Sequence, residues 1–184
     1  TSLETIMALN PQRTVDELKE LRALTGDENG AQRVAWTETW TRARAWLRQK
    51  LDALPVEVHN DAAGNTWATL RGASEKTLIL GGHIDSVPNG GWLDGCLGVL
   101  AGLEVLRRIA DEGTPPVTVR LVDWADEEGA RFGRSLFGSS AVSGFFDPVV
   151  LAQLKDREGR PLPEVVSEYG VYIETARQSG GELK

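Results

Sequence analysis

The sequence predicts a three-layer α/β/α domain on a mostly parallel sheet, and three features carry that expectation. Short apolar runs at residues 77–81 and 117–124 have the look of strands buried on both faces. Between them, residues 95–109 carry apolar side chains at helical spacing. Each apolar run is followed by a polar, glycine-containing segment, as at the strand ends of an α/β sheet.

In chain order, residues 14–24 read as a helix, with Thr14 as N-cap and Glu17 three residues on completing a capping box. Residues 34–51 read as a second helix. Trp36, Trp40 and Leu47 recur at near-helical spacing, Arg42, Arg44 and Arg48 take other faces, and Pro55 ends the element. Residues 56–60 alternate apolar and polar, 61–65 form a turn, and 66–70 read as the second strand of a hairpin. The helix at 95–109 places Arg107 and Arg108 near its C-terminus, where the backbone dipole favours cations. Residues 111–116 are a loop and 139–143 a short helix. After Pro148 the pattern weakens to one or two helices broken by Pro161 and Pro163, and residues 178–181 read as a flexible end. This reading assigns N-terminal helices to 1–55 and a metal-site α/β core to 56–147.

Composition excludes several functions. Hydrophobic residues make up 41% of the chain, enough for a packed core. The net charge of -7, with no basic stripe, argues against nucleic acid as a partner. No apolar run is long enough to cross a bilayer, so no membrane partner is expected. Cys96 is the sole cysteine and no leader-like segment is visible, which points to a reducing, cytoplasmic location. No phosphate-binding glycine loop is present.

The chemistry-bearing residues follow the two apolar runs. His83 and Asp85 are two apart, so an extended backbone puts both on one face. A carboxylate there can take the second N–H of an imidazole and fix its tautomer, as a metal-binding histidine requires. Asp94, between Leu93 and Gly95, reads either as the N-cap of the following helix or as a metal ligand. Asp126, Glu127 and Glu128 form an acidic run that is either a solvated loop or a divided site. In the second case one carboxylate faces a metal and its neighbour takes a proton from water. His59 reads as a half-exposed strand residue, Cys96 as a small core residue and the tryptophans as packing groups.

Residues 82–87 (Gly-His-Ile-Asp-Ser-Val), 90–99 (Gly-Gly-Trp-Leu-Asp-Gly-Cys-Leu-Gly-Val) and 127–132 (Glu-Glu-Gly-Ala-Arg-Phe) resemble the N-carbamoyl-L-amino acid hydrolase and allantoate amidohydrolase family of zinc hydrolases. The resemblance runs from about residue 10 to residue 147 and is strongest over 79–144. It implies two divalent ions, zinc or else manganese, cobalt or nickel. His83 binds one ion, Asp94 bridges both and Glu128 binds the other. Glu127 is the general acid/base, and Asp85 orients His83. A cis peptide is implied at Asp94-Gly95. The implied substrate is a small N-carbamoyl or ureido compound, the alternative being an aminoacylase or dipeptidase with the same centre. The family takes further ligands from a His-x-Glu-Gln-Gly motif and a later histidine, and carries an inserted lid or dimerisation domain. None of these occurs in residues 1–184. Expected here are therefore the first part of a catalytic domain and a half-set of ligands. A complementing C-terminal chain would supply the rest, and the complete protein is expected to be a homodimer. The remaining alternative is a non-catalytic fragment.

Overall fold

The computed structural model describes residues 8–183. Helix α1 spans Pro11–Thr25. Its N-cap is Asn10, whose side chain accepts from the Arg13 N–H at 3.1 Å, and Pro11 opens the first turn. The expected Thr14 cap is thus one turn inside the helix, because a proline lacking an N–H is best placed at a helix start. Glu17 is buried and receives Arg107 at 2.8 Å instead of closing a capping box. A two-residue ribbon follows, β1 (Gly26–Asp27) against β2 (Gly30–Ala31). Helix α2 is Glu38–Leu51, capped by Thr37. Residues 34–37, read as helical from sequence, lie outside it, and Trp36 takes a left-handed backbone (φ 61°).

The hairpin forms as expected from β3 (Glu57–Asn60) and β4 (Thr66–Leu70), antiparallel, with His59 opposite Trp67. The Asp61 side chain closes the turn by accepting the N–H groups of Ala63 and Asn65, each at 3.0 Å. Strand β5 is Thr77–Gly82, helix α3 Cys96–Asp111 and strand β6 Thr118–Asp123. The sheet order is β3-β4-β6-β5. Only β5 and β6 are parallel, while β4 pairs antiparallel with both β3 and β6, so the sheet is mixed rather than mostly parallel. Strand β6 is buried as expected, but β5 is an edge strand with Leu78 and Ile79 exposed.

Helices α1, α2 and α3 cover one face. Leu18, Leu21, Trp46, Leu47, Leu100, Leu103 and Leu106 pack there with Ala68, Val119 and Leu121 of the sheet. Burying each such side chain contributes roughly 1.5–3 kcal/mol. The opposite face places Trp67 and Val122 against Val142 of α4 (Phe137–Ser143), which completes three layers. Two short helices follow, α5 (Pro148–Leu151) and α6 (Leu162–Ser167). Pro161 caps α6 rather than breaking it, and Pro163 stands in its first turn. The expected flexible end is a 3-10 segment, Ala176–Leu183. It is tied down by Glu182, which meets Arg120 and His59, and by Ser179, whose hydroxyl accepts the Ala63 N–H at 2.9 Å. No helix among the described residues is long and apolar enough to cross a membrane.

Candidate active site

The parallel pair of strands aims its carboxyl ends at one edge of the sheet, the usual ligand position in α/β folds. His83 follows β5 directly, Asp123 ends β6, and Asp126, Glu127 and Glu128 come just after it. Asp85 joins the two loops. Its carboxylate, 1% exposed, accepts the backbone N–H of Glu127 at 3.2 Å and of Glu128 at 3.1 Å. His83 Nδ1 lies 3.0 Å from the Asp85 backbone carbonyl and 3.6 Å from its Oδ1. A carbonyl only accepts, so Nδ1 carries a proton, and Nε2 is the nitrogen that the neutral imidazole leaves free. The tautomer is thus set by the Asp85 main chain, while its side chain holds the acidic turn.

His83 Nε2 stands 3.5 Å from Glu127 Oε2. Burial disfavours the imidazolium, but hydrogen bonding and charge from Asp85, with the charge of Glu127, outweigh it and push the His83 pKa up to about 9. Glu128 is also raised, first by burial, then by the charges of Asp94, Glu127 and Asp85, with His83 opposing. Asp94 is exposed and makes no capping bond. The cap position of α3 belongs to Gly95, so the helix-cap alternative for Asp94 falls away. Gly95 is left-handed (φ 64°), and a Cβ there would come within 2.5 Å of the His83 ring, so the imidazole lies directly against this glycine. The Asp94-Gly95 peptide is trans, against the expected cis bond.

The donor chemistry suits a divalent cation: Nε2 is open once the imidazole is neutral, and the charges of Asp94, Glu127 and Asp85 raise the proton affinity of Glu128. The coordination sphere is not closed, because among the described residues no three His, Cys, Asp or Glu side chains converge to hold an ion. His59 pairs with Glu182 on the hairpin and takes no part. Cys96 is buried, and desolvation pushes its thiol up to about 11, which removes it as a nucleophile.

Four residues of the frame, Arg33, Asp123, Arg44 and Trp36, were not singled out as site residues by sequence. Arg33, fully buried, donates from Nε to the Ile84 carbonyl at 2.8 Å, while the Ile84 N–H donates to Asp123 Oδ1 at 2.8 Å. The peptide between His83 and Asp85 is therefore clamped from both sides. Arg44 meets Asp123 at 3.0 Å. Trp36 donates from Nε1 to Asp126 Oδ2 at 2.8 Å. Burial drives Asp123 up to about 6 and Asp126 up to about 7, in both cases with Asp85 adding to the rise.

These shifts give stability a sign. With metal stripped by a chelator, folded His83 keeps a proton that unfolded histidine loses above 6.5, so its contribution is complete below 6.5 and lost as pH rises through about 9. Asp123 and Asp126, raised in the fold, lower stability in the same direction at lower pH. Urea unfolding is expected to show a loss of ~1–3 kcal/mol between these two pH values that is absent from His83→Gln. The same loss in the variant would assign the effect elsewhere.

Comparison with known proteins agrees with this architecture. A family model described as Peptidase family M28 matches residues 65–155. An N-carbamoyl-L-amino acid amidohydrolase of Geobacillus stearothermophilus is 37% identical over 77% of this chain and 35% of its own length. An allantoate amidohydrolase of Bacillus subtilis is 30% identical over 78% of this chain and 35% of its own. A hydantoinase/carbamoylase family amidase from Burkholderia ambifaria superposes with a TM-score of 0.81 at 31% identity, covering 90% of this chain and 42% of that one. The chain thus spans well under half the length of these relatives.

Proposed function

The chain belongs to the N-carbamoyl-L-amino acid hydrolase and allantoate amidohydrolase family, and on that premise we propose that it forms part of a metal-dependent amidohydrolase. The proposed reaction is hydrolysis of the carbamoyl or ureido C–N bond of a small substrate. Water adds to the carbonyl, the C–N bond breaks, and carbamate decays to ammonia and carbon dioxide. The single observation that supports the reading best is the Asp85 bridge, which brings the His83 loop and the Glu127-Glu128 turn together at one sheet edge.

In this proposal His83, Asp94 and Glu128 would hold the two divalent ions. The remaining ligands come from outside the residues described. Bound zinc, or manganese, cobalt or nickel, supplies Lewis acidity at the scissile carbonyl. Asp85 positions both loops. Glu127 accepts the proton of the attacking water and returns it to the leaving nitrogen.

The test is ammonia release from N-carbamoyl-L-amino acids and allantoate with zinc or manganese. The chain is assayed alone and mixed with the C-terminal portion of a homologous amidohydrolase. Turnover in either arm supports the proposal. The Peptidase family M28 match favours one second reading, an aminoacylase or dipeptidase. Hydrolysis of N-acetyl amino acids or dipeptides, without action on carbamoyl substrates, would establish that reading. Silence on every substrate, with no association, would make the chain non-catalytic.

A further inference from the structure

Residues 31–36 form a strap across both site loops. At one end it pairs with the loop that follows His83. Ala31 and Gly90 exchange backbone hydrogen bonds at 2.9 and 3.1 Å, Ser86 N–H donates to Arg33 O at 3.0 Å, and Arg33 N–H donates to Ser86 Oγ at 3.0 Å. At the other end stands Trp36, fully buried, whose indole N–H meets Asp126. Both partners of that bond are left-handed without being glycine, Trp36 at φ 61° and Asp126 at φ 52°. Backbone strain at two bonded residues persists only where the surroundings hold it. Here Phe137, Tyr169 and Trp40 pack edge-on around the Trp36 ring, and Arg131, itself paired with Asp156 at 3.0 Å, donates to the Trp36 carbonyl.

Asp126 immediately precedes Glu127, and its backbone conformation decides where the next two N–H groups point. They point at Asp85. We propose that Trp36 is a positioning residue for the site. Its indole N–H locks Asp126 in the left-handed conformation, which presents the Glu127 and Glu128 amides to Asp85 and so sets their side chains beside His83. Trp36 never touches the reacting groups and acts through Asp126. The role rests on the assignment of Glu127 and Glu128 above. Its test reads the geometry of the turn rather than turnover, so the two can fail separately.

Trp40 provides a matched control, since its ring abuts Trp36 at 4.9 Å but its buried Nε1 has no hydrogen-bond partner among the described residues. Amide hydrogen exchange is followed by NMR on the whole chain for wild type, Trp36→Phe, Trp40→Phe and Asp126→Asn. In Trp36→Phe the Glu127 and Glu128 amides are expected to exchange about tenfold faster, because Asp126 loses its buried donor, while β4 and β6 amides change by less than about twofold. Trp40→Phe and Asp126→Asn, which keeps an acceptor for the indole and tolerates the left-handed backbone, leave the turn protected. The indole N–H resonance of Trp36 shifts in Asp126→Asn. Equal behaviour of the two Trp→Phe variants, or loss of protection spread evenly over the sheet, overturns the proposal. Should Trp36→Phe fail to fold, Asp126→Gly removes the acceptor without backbone strain and is held to the same outcomes.

Discussion

Replacing Glu127 by glutamine is expected to lower turnover of the assembled, metal-loaded enzyme by about 10²–10⁴-fold, the usual contribution of a general base. The expectation follows from where the other acids at this edge have committed their lone pairs. Asp85 gives both oxygens to backbone N–H groups. Asp123 accepts the Ile84 N–H and faces Arg44, and Asp126 accepts from Trp36. The Glu127 carboxylate accepts no hydrogen bond among the described residues and is 31% exposed, with His83 Nε2 facing it at 3.5 Å. Glu128 and Asp94 are equally uncommitted but are assigned to the metal ions in the proposal, which leaves Glu127 as the acid to take a proton, close enough to the imidazole to deliver it near bound substrate. Glutamine keeps the shape and the backbone N–H to Asp85, so KM for an N-carbamoyl amino acid should stay within about threefold while kcat falls. Steady-state kinetics of the pair decides the matter. A variant that keeps its kcat would falsify the base assignment.

Much of the scaffold was legible because local rules and tertiary packing agree in it. The hairpin declared itself through alternation and a turn rich in Asp, Gly and Asn, and β6 through a run buried on both faces. Strand β5 carries an equally apolar run, yet it lies at the sheet edge. Apolar side chains announce a wish to be covered but not which neighbour does the covering. The start of α1 was misplaced because a plausible capping box at Thr14 outranked the stronger signal, a proline after an asparagine. The C-terminal segment looked free because its anchors, Arg120 and His59, lie more than sixty residues away and nothing local points to them.

The site divides in the same way. His83, Asp85, Glu127 and Glu128 were found because rare polar residues directly follow apolar runs, and the fold does bring their loops together. Of the residues that hold them, Trp36 was read as helix. Trp36 fits a helical period, and only its left-handed backbone takes it out of α2. Arg33 is fully buried with no carboxylate among its hydrogen-bond partners, a placement no charge pattern suggests. Asp85 was expected to serve His83 through its side chain, and its main-chain carbonyl lies nearer to Nδ1 than its carboxylate does. Chemistry is local to a motif, whereas the frame around it is assembled from distant segments.

That frame predicts the largest loss of stability. Arg44 and Asp123 form an ion pair under the sheet, 3.0 Å apart, with side chains 14% and 1% exposed. The guanidinium also donates to the Gly64 carbonyl at 2.6 Å and stacks over Trp40 at 4.5 Å, so it bridges α2, the hairpin and β6. The ion contact is poorly aligned as a hydrogen bond, and the attraction between the charges is its main content. Arg44→Met keeps the length of the side chain and removes its charge. Asp123 then stays buried beside Asp85 without its paired cation, and destabilisation of about 3–5 kcal/mol is expected by urea unfolding at pH 8. Adding Asp123→Asn removes the stranded charge and leaves a donor and an acceptor, so the double variant should regain most of that loss. If the two substitutions simply add, the pair is not coupled, and Arg44 stabilises through Gly64 and Trp40 alone. Coupling would also reach the site, since Asp123 holds the Ile84 N–H between His83 and Asp85. In the single variant Asp123 is no longer held down by Arg44 and takes up its proton at higher pH than in the wild type, so the loss should shrink as pH falls toward about 6.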